Sequence, residues 1–159
     1  MPVEFDMTAL SRIKERVSGI VGVDFRVELA QVLAASALTE MANEFRESRD
    51  PYGQQWKPLT YRNGQPLLDT GRMRASVYTA RVGADGFTLR VGTNYAVYHQ
   101  DGARVRRPAG GRPSRGKVGS IPQRRMVPDA ATGIGPIWGA TFKRDAAALV
   151  RRRVASSGN

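Results

Sequence analysis

Residues 66–102 read PLLDTGRMRASVYTARVGADGFTLRVGTNYAVYHQDG, and this stretch decides the fold. Apolar and polar side chains alternate with a period of two from Ser76 to Thr93, which is typical of half-buried β-strands. The alternation is interrupted by Gly-Ala-Asp-Gly at residues 83–86, a composition that favours a tight turn. The sequence therefore predicts a β-hairpin over about residues 76–93.

Short helical turns are predicted on both sides of this hairpin. Before it, Asp69 and Thr70 are candidate N-caps for a helical turn over residues 71–75. After it, residues 94–102 are predicted to form a second helical turn, which Gly102 ends. The hairpin thus lies between two compact helical segments.

The strongest helical pattern in the chain covers residues 24–49. Asp24 is a candidate N-cap at its start. Apolar side chains recur every three or four residues and predict one continuous stripe that packs in the core: Ala30, Leu33, Ala34, Ala37, Leu38, Met41 and Phe45. The opposite, polar face is predicted to carry Glu28, Gln31, Glu40, Arg46 and Glu47.

Three further elements are predicted outside the long helix and the hairpin. Residues 8–17 have the spacing of a short helix. Residues 121–128 are predicted to form an edge strand, because a proline near each end limits its pairing. A last helix is predicted to begin at Pro136, a residue well suited to a first helical position. Its apolar face would consist of Trp138, Phe142, Ala146, Leu149 and Val150.

Together these patterns predict an α+β fold. An antiparallel sheet is built around the central hairpin (about 76–93) and is packed by the long helix (about 24–49) and the C-terminal helix (about 136–154). A long basic loop occupies residues 103–120. The length is that of one domain, so residues 1–159 are predicted to form a single unit.

The charge is strongly positive and unevenly distributed. The formal net charge is +11 at pH 7. Residues 1–50 hold nine acidic and six basic side chains, whereas residues 51–159 hold five acidic and nineteen basic ones. Such asymmetry predicts one acidic and one basic surface on the same molecule. The charge asymmetry has three possible explanations: it keeps the protein soluble, it suits a protein that sits between two partners of different charge, or it suits a protein that lies beside nucleic acid.

The composition also argues against several classes of protein. No run approaches the roughly 18 apolar residues of a membrane span, so no membrane partner is expected. Glu4 and Asp6 lie where a secretion signal would carry basic residues. There is no cysteine, hence no disulfide framework. Synthesis in the cytoplasm fits these features.

Catalytic and cofactor sites are not predicted. His99 is the only histidine, and the acidic residues are scattered, so a metal shell or an acid–base pair is hard to assemble. Residues 111–117 match the G-x-x-x-x-G-K pattern of a phosphate-binding loop. However, Val118 replaces the hydroxyl residue that would hold magnesium, and Pro113 lacks an N–H. We expect no cofactor and no enzymatic activity, and we interpret His99 as a structural hydrogen-bonding residue.

The stretch from Ala103 to Gln123 is a basic arm rich in glycine and proline. It contains no acidic residue and few apolar ones, which predicts a mobile segment. Its cationic side chains are predicted to face DNA phosphates or an acidic protein: Arg104, Arg106, Arg107, Arg112, Arg115 and Lys117. A solvated loop with no binding partner is the remaining interpretation.

Four motifs together resemble the phage virion morphogenesis (tail completion) family of Mu-like and related tailed phages. They are DPYGQQWKPL at 50–59, preceded by Phe45, LLDTGRMRAS at 67–76, VGTNYAVYHQDG at 91–102 and IPQRR at 121–125. The resemblance covers about residues 25–155. The family usually has alanine where this chain has Gln123 and an aromatic residue where it has Met126.

The resemblance implies a structural role rather than an enzymatic one. Such proteins complete the tail and join it to the head, as α+β subunits of a ring, often hexameric, around the DNA channel. The implied partners are further copies of the chain, the tail tube, neck or connector proteins, and the genomic DNA in the lumen. The implied location is the head–tail junction of the virion. The main alternative is a non-specific nucleic-acid-binding protein that uses the basic arm, and an enzyme or toxin acting through His99 is the third.

The resemblance also implies roles for individual residues. Positions that match the family motifs would be scaffold residues: Asp50, Pro51, Gly53, Trp56, Leu68, Thr70, Gly71, Tyr95, His99, Gly102, Pro122 and Arg124. The first four match a turn that locks the long helix to the sheet. The next three match the helix start before the hairpin. Tyr95, His99 and Gly102 match the exit of the hairpin.

Overall fold

A computed structural model describes residues 22–60, 62–104, 120–129 and 131–156. The predicted helix over 8–17 and most of the basic arm lie outside the described residues. The elements in chain order are α1 (Val23–Glu47), α2 (Arg72–Ala75), β1 (Val77–Gly83), β2 (Gly86–Val91), α3 (Ala96–Asp101), β3 (Ala103–Arg104), β4 (Ser120–Ile121) and α4 (Pro136–Ser156). The α+β class, the long helix, the central hairpin and the C-terminal helix are confirmed.

The core lies between α1 on one side and the hairpin and α4 on the other. The apolar stripe of α1 is buried as its spacing predicts, with Met41 and Phe45 almost fully enclosed. Residues from all parts of the described chain complete this cluster: Ala37, Trp56, Met73, Ala96, Met126 and Trp138. On α4, Val150 is exposed and does not join the apolar face that the sequence predicts. Met126 occupies a core position, with 2% of the residue exposed.

The predicted side-chain N-caps, Asp24 for the first helix and Asp69 or Thr70 for the second, are wrong. Gly22 caps α1 without a side-chain hydrogen bond, and Asp24 lies in the first turn, where its charge favours the helix dipole. Gly71 caps α2 in the left-handed conformation, with φ of 71°. The Oγ1 atom of Thr70 is 3.5 Å from the Arg72 nitrogen, at the limit of a hydrogen bond. Glycine provides the change of direction that α2 needs, because it has no Cβ to clash.

The hairpin contains a β-bulge that the sequence pattern does not reveal. The pairing of β1 with β2 passes from Thr79 directly to Arg81, so Ala80 is an extra residue. As a result Val82 pairs with Phe87 and shares its face of the sheet, whereas uninterrupted alternation places Arg81 on that face. The bulge thus directs the Arg81 side chain to the outer surface, where the residue is exposed.

The strand predicted over residues 121–128 is wrong beyond Ile121. Only Ser120 and Ile121 pair as a strand, with β3 rather than with the hairpin. The following residues are held by the side chain of Gln100 instead. Its Oε1 accepts hydrogen bonds from the backbone N–H groups of Met126 (2.8 Å) and Val127 (3.2 Å), and its Nε2 donates to the Val127 carbonyl (2.9 Å). The side-chain amide of Gln100 therefore makes the backbone hydrogen bonds that a neighbouring strand would otherwise make.

The contact between α1 and α4 is partly polar, which corrects the predicted placement of Glu40 on the solvent face. Glu40 and Glu44 are both buried. The polar links are Ser36 Oγ to Asp145 Oδ2 (2.6 Å), Thr141 Oγ1 to Glu40 Oε1 (2.7 Å) and Trp138 Nε1 to Glu44 Oε1 (2.5 Å).

The acidic surface expected from the first third of the chain is not found among residues 22–50. Three of the carboxylates there are buried, namely Glu40, Glu44 and Asp50. Glu28 and Glu47 form ion pairs with arginines. Apart from the exposed Asp24, the acidic side chains of this part are thus buried or paired with arginines.

Candidate functional site: a cavity where the sequence motifs meet

The turn after α1 is closed by the side chain of Asp50. Its Oδ1 accepts hydrogen bonds from the backbone N–H groups of Tyr52 (2.9 Å) and Gln54 (2.8 Å). Gly53 donates its N–H to the Asp50 carbonyl and has a φ of 89°, which a residue with a Cβ rarely adopts. Pro51 is fully buried beside them. This geometry fixes the direction in which the chain leaves α1.

Trp56 lies over the end of α1 and joins two of the motifs. Its ring makes an edge-on contact with Phe45, with the centroids 5.7 Å apart. Its Nε1 donates a hydrogen bond to the Arg125 carbonyl at 2.9 Å. Only 6% of the residue is exposed. The motif at 50–59 is thereby attached to the motif at 121–125.

Arg124 joins three of the motifs and is 4% exposed. Its Nε and Nη2 donate to the Lys57 carbonyl at 3.0 and 2.9 Å. Its backbone N–H donates to the His99 carbonyl at 2.7 Å. Gly102, with a φ of 75°, ends α3 where the backbone of residues 121–123 passes so closely that a Cβ would be crowded.

A cavity of about 220 Å³ opens where these motifs converge. Of the residues that the resemblance implies, five line it: Thr70, Gly71, Tyr95, His99 and Arg124. Pro122 lines an adjoining space of about 500 Å³, which His99 and Arg124 also border. Leu68 packs on the core instead. The structure thus brings together residues from three separate motifs, and we call this space the motif cavity.

Two further arginines line the motif cavity, and the sequence patterns did not single them out. Arg62 lies on the loop before the second motif, and Arg72 begins α2. The Nε of Arg62 is 3.7 Å from Asp69 Oδ1, which is outside hydrogen-bond distance. That Nε is buried and has no hydrogen bond. Arg72 belongs to the motif at 67–76, so the sequence could have indicated it as a site residue. Arg62 lies in no motif, and nothing in the sequence marks it.

His99 stands at the wall of the cavity with one ring nitrogen unused. Its Nδ1 is buried and has no hydrogen-bond partner. The Tyr95 ring lies edge-on to the imidazole, 6.4 Å away between centroids. Burial, and then the charge of Arg124, lower the pKa of His99 below its ordinary value, so the ring is neutral at pH 7. A neutral imidazole can accept or donate one hydrogen bond here.

The basic arm is almost entirely outside the described residues. Of its predicted contact residues only Arg104 is described, and it is exposed in β3, where it pairs with Ser120. The others, Arg106, Arg107, Arg112, Arg115 and Lys117, lie outside the described residues. Their role in binding DNA or protein stays a prediction.

The described residues form neither a metal-binding cluster nor a membrane-spanning helix. Among them, no three side chains of His, Asp or Glu come close enough to hold a metal ion. None of the described helices is both long enough and apolar enough to cross a membrane. What the motif cavity offers is a cationic wall and unused hydrogen-bonding groups.

Comparison with known proteins supplies one match. No curated protein and no solved structure matches the chain. The pattern of the phage virion morphogenesis family matches residues 6–140, which include all four motifs and every residue that lines the motif cavity. Since that match covers most of its 159 residues, this chain belongs to the phage virion morphogenesis family.

Proposed function

We propose that the protein is a structural subunit that completes the phage tail and joins it to the head, as one copy in a ring around the DNA channel. Membership of the family supports a structural role in the virion. The observation that carries the proposal is a group of exposed apolar side chains at α3. Tyr95, Val97 and Tyr98 are 41%, 54% and 52% exposed. We call these three residues the α3 surface.

The α3 surface has the composition of a protein interface. Tyrosine is enriched at interfaces because it combines a large apolar ring with a polar end. The three exposed side chains fall within residues 95–98, and exposed apolar groups that cluster in this way mark contact sites. The hairpin adds a second feature, because β1 and β2 pair only with each other among the described residues. Each strand therefore keeps one open edge that a neighbouring copy can cover.

The charge supports a place beside acidic partners. The chain carries +11, and the acids of residues 22–50 are buried or ion-paired with the exception of Asp24. We propose that the basic arm docks on an acidic face of the tail tube or neck, with the DNA in the lumen as a secondary partner. A closed ring is the usual outcome when copies of one chain contact head to tail, and six copies are favoured by the resemblance.

The α3 surface gives the first test of the ring. Replacing Val97 with arginine (V97R) is expected to convert the assembly into monomers, because a guanidinium placed in an apolar contact loses its hydration. The monomer itself should keep its fold, since Val97 is more than half exposed. The mass of the purified protein measures the effect, and a multiple of the chain mass is expected for the wild type.

Val150→Arg is the matched control for this experiment. Val150 is also exposed, at 40%, but belongs to a different helix, α4. We expect this variant to keep the wild-type mass. A wild-type protein that stays monomeric at high concentration and with tail tubes present would contradict the ring. So would intact particles imaged without the protein at the junction between head and tail.

The basic arm gives a separate test of head–tail joining. Replacing Arg106, Arg107, Arg112 and Arg115 with serine removes four positive charges and should strongly reduce the yield of joined particles. The four corresponding serine substitutions at Arg26, Arg81, Arg90 and Arg151, exposed positions outside the arm, control for net charge alone. Normal yields of infectious particles from the arm variant would rule out docking by the arm.

A non-specific nucleic-acid-binding protein is the second candidate. The net charge of +11 and the cationic arm are the observations that favour it. A monomer that retards duplex DNA at physiological salt would support it over the ring.

A further inference from the structure

We propose that the motif cavity holds the carboxylate of an Asp or Glu side chain from a second copy of this chain. The inference rests on the proposed ring, because the second copy is the one that packs on the α3 surface. It assigns the motif cavity a ligand of defined chemistry. It also gives the arginines on the cavity wall a role in joining one subunit to the next.

The wall of the cavity is cationic. Arg62, Arg72 and Arg124 contribute three guanidinium groups, against the single carboxylate of Asp69. The Asp69 side chain is 75% exposed and stays 3.7 Å from the nearest Arg62 nitrogen, so it neutralises the wall only weakly. His99 is neutral and adds no negative charge. An anion entering the cavity therefore meets a favourable potential that water screens less than at an open surface.

Two of the residues that line the cavity each carry a buried nitrogen without a hydrogen bond, and both nitrogens suit a carboxylate. The Nε–H of Arg62 can only donate, and its neighbours leave it unused. The Nδ1 of His99 can donate in the tautomer that carries its proton there. A carboxylate has two oxygens that accept such bonds, and a bond from a guanidinium to a carboxylate is among the strong ones. Buried polar groups normally have hydrogen bonds. Two residues of one cavity wall with unpartnered buried nitrogens therefore indicate that a binding partner is missing.

The shape of the cavity favours a side chain over a nucleic acid. Its volume of about 220 Å³ suits a small group, and Leu59, Leu67 and Met73 form part of the lining. A DNA backbone is a broad, highly charged surface that remains hydrated and cannot enter such a space. The stem of a glutamate or aspartate can contact the apolar lining while its carboxylate reaches the arginines. The chemistry thus selects an acidic side chain of a protein.

The position of the cavity identifies the source of that side chain. Tyr95 lines the cavity and also belongs to the α3 surface, so a protein seated on that surface covers the cavity mouth. The described chain can supply the carboxylate itself. Asp24 and Asp85 are exposed and form no ion pair with described residues. A second copy therefore brings both the apolar contact and an acidic group.

His99 allows a direct test, because it is the only histidine and its imidazole gives a single set of NMR signals. The ¹⁵N shifts of that ring are followed while sodium acetate is added to the full-length V97R protein, with sodium chloride at matched ionic strength as reference. We expect a saturable change with acetate alone, together with a rise in the pKa of His99, since an added negative charge stabilises the imidazolium against Arg62, Arg72 and Arg124. In the assembled wild type the site is already filled, so added acetate should change little.

Variants locate the site. Arg62→Gln and Arg72→Gln should each weaken acetate binding by about tenfold, the loss of one charge-assisted hydrogen bond. Arg90→Gln, which changes an exposed arginine on the outer face of the hairpin, should leave binding unchanged. The fold of each variant is checked by its amide spectrum.

Four outcomes would overturn the proposal. They are no response in V97R beyond that to chloride, equal binding in all three Arg→Gln variants, saturable binding to the assembled wild type, and a response to inorganic phosphate without one to acetate. The last would favour a nucleic-acid phosphate. The measured mass tests the ring independently of acetate binding. A wrong proposal about the cavity can therefore be distinguished from a wrong proposal about the ring.

Discussion

Replacing Trp56 with alanine is expected to lower the free energy of unfolding by about 3–5 kcal/mol. Only 6% of Trp56 is exposed, and removal of its indole leaves a void beside Phe45 at the end of α1. The carbonyl of Arg125 also loses the hydrogen bond that the Trp56 Nε1 donates. The loss is large compared with the roughly 5–15 kcal/mol that holds a typical domain folded.

The effect should extend to the motif cavity, because Trp56 attaches residues 121–125 to the turn after α1. Without that attachment, Arg124 loses the fixed position from which it donates to the Lys57 carbonyl and borders the cavity. Urea denaturation followed by circular dichroism measures the stability. The imidazole signals of His99 report on the cavity in the same protein under native conditions.

Trp56→Phe separates the two contributions of the indole. A phenyl ring keeps most of the apolar contact with Phe45 and lacks the N–H group, so we expect a loss of about 1–2 kcal/mol. Val23→Ala, an exposed truncation at the start of α1, serves as a control with little expected effect. A loss below about 1 kcal/mol for Trp56→Ala would mean that the indole does not hold these segments together.

The large elements could be predicted because the side-chain period follows from the backbone geometry. A stripe with spacing of three to four residues located α1, and alternation located the hairpin. Pro136 marked the start of α4 because its ring is compatible only with the first turn of a helix. These are local rules, and they hold wherever one face of an element is buried.

Apart from the N-caps, three of the misses depend on pairings between separate segments of the chain. The bulge at Ala80 shifts the alternation by one residue, and nothing local marks it. The segment after Ile121 resembles a strand in composition, yet the side chain of Gln100 occupies the place of a neighbouring strand. Glu40 looks like a solvent-facing residue until Thr141 is placed opposite it. Such pairings exist only once the chain is folded.

The sequence predicted several residues of the candidate site individually, but it did not predict that they form one site. The motifs supplied Thr70, Tyr95, His99 and Arg124, but as scattered scaffold positions. These residues line one cavity because of the paths that three separate segments take through the fold. The period of apolar residues in the sequence does not predict such paths. Arg62 lines the same cavity as Tyr95 and His99 because of the path of the loop before α2, and a polar stretch gives no sign of that path.

Glu44 places a carboxyl group in the core. Glu44 is fully buried, and its Oε1 accepts a hydrogen bond from Trp138 Nε1. Burial raises the pKa of Glu44 from 4.5 to about 8, an effect that the Trp138 hydrogen bond and the charge of Arg49 only partly oppose. Glu44 is therefore largely protonated in the folded protein at pH 7 and ionised in the unfolded chain.

The sign of the pH dependence follows from this difference. Between pH 4.5 and about 8 the folded protein binds a proton at Glu44 that the unfolded chain does not, so the Glu44 contribution to stability falls as the pH rises. Each unit of pKa difference corresponds to about 1.4 kcal/mol, which gives a total on the order of 4–5 kcal/mol across this range. Glu44→Gln removes the ionisation, and the amide oxygen can still accept the Trp138 hydrogen bond. We expect the variant to match the wild type near pH 4.5 and to exceed its stability by several kcal/mol near pH 8.5.

The difference between the two proteins isolates Glu44 from other titrating groups. His99, whose pKa is lowered by folding, makes stability rise with pH, and it does so equally in both proteins. Glu47→Gln is the surface control on the same helix. Hydrogen bonds from Arg49 and Arg46 lower the pKa of Glu47, so it stays ionised above pH 5 and its variant should run parallel to the wild type. Urea denaturation at intervals from pH 5 to 9 gives these curves. If the Glu44→Gln curve also ran parallel to the wild type, the carboxyl group would be solvated, and the packing of α1 against α4 would have to be looser than the structure shows.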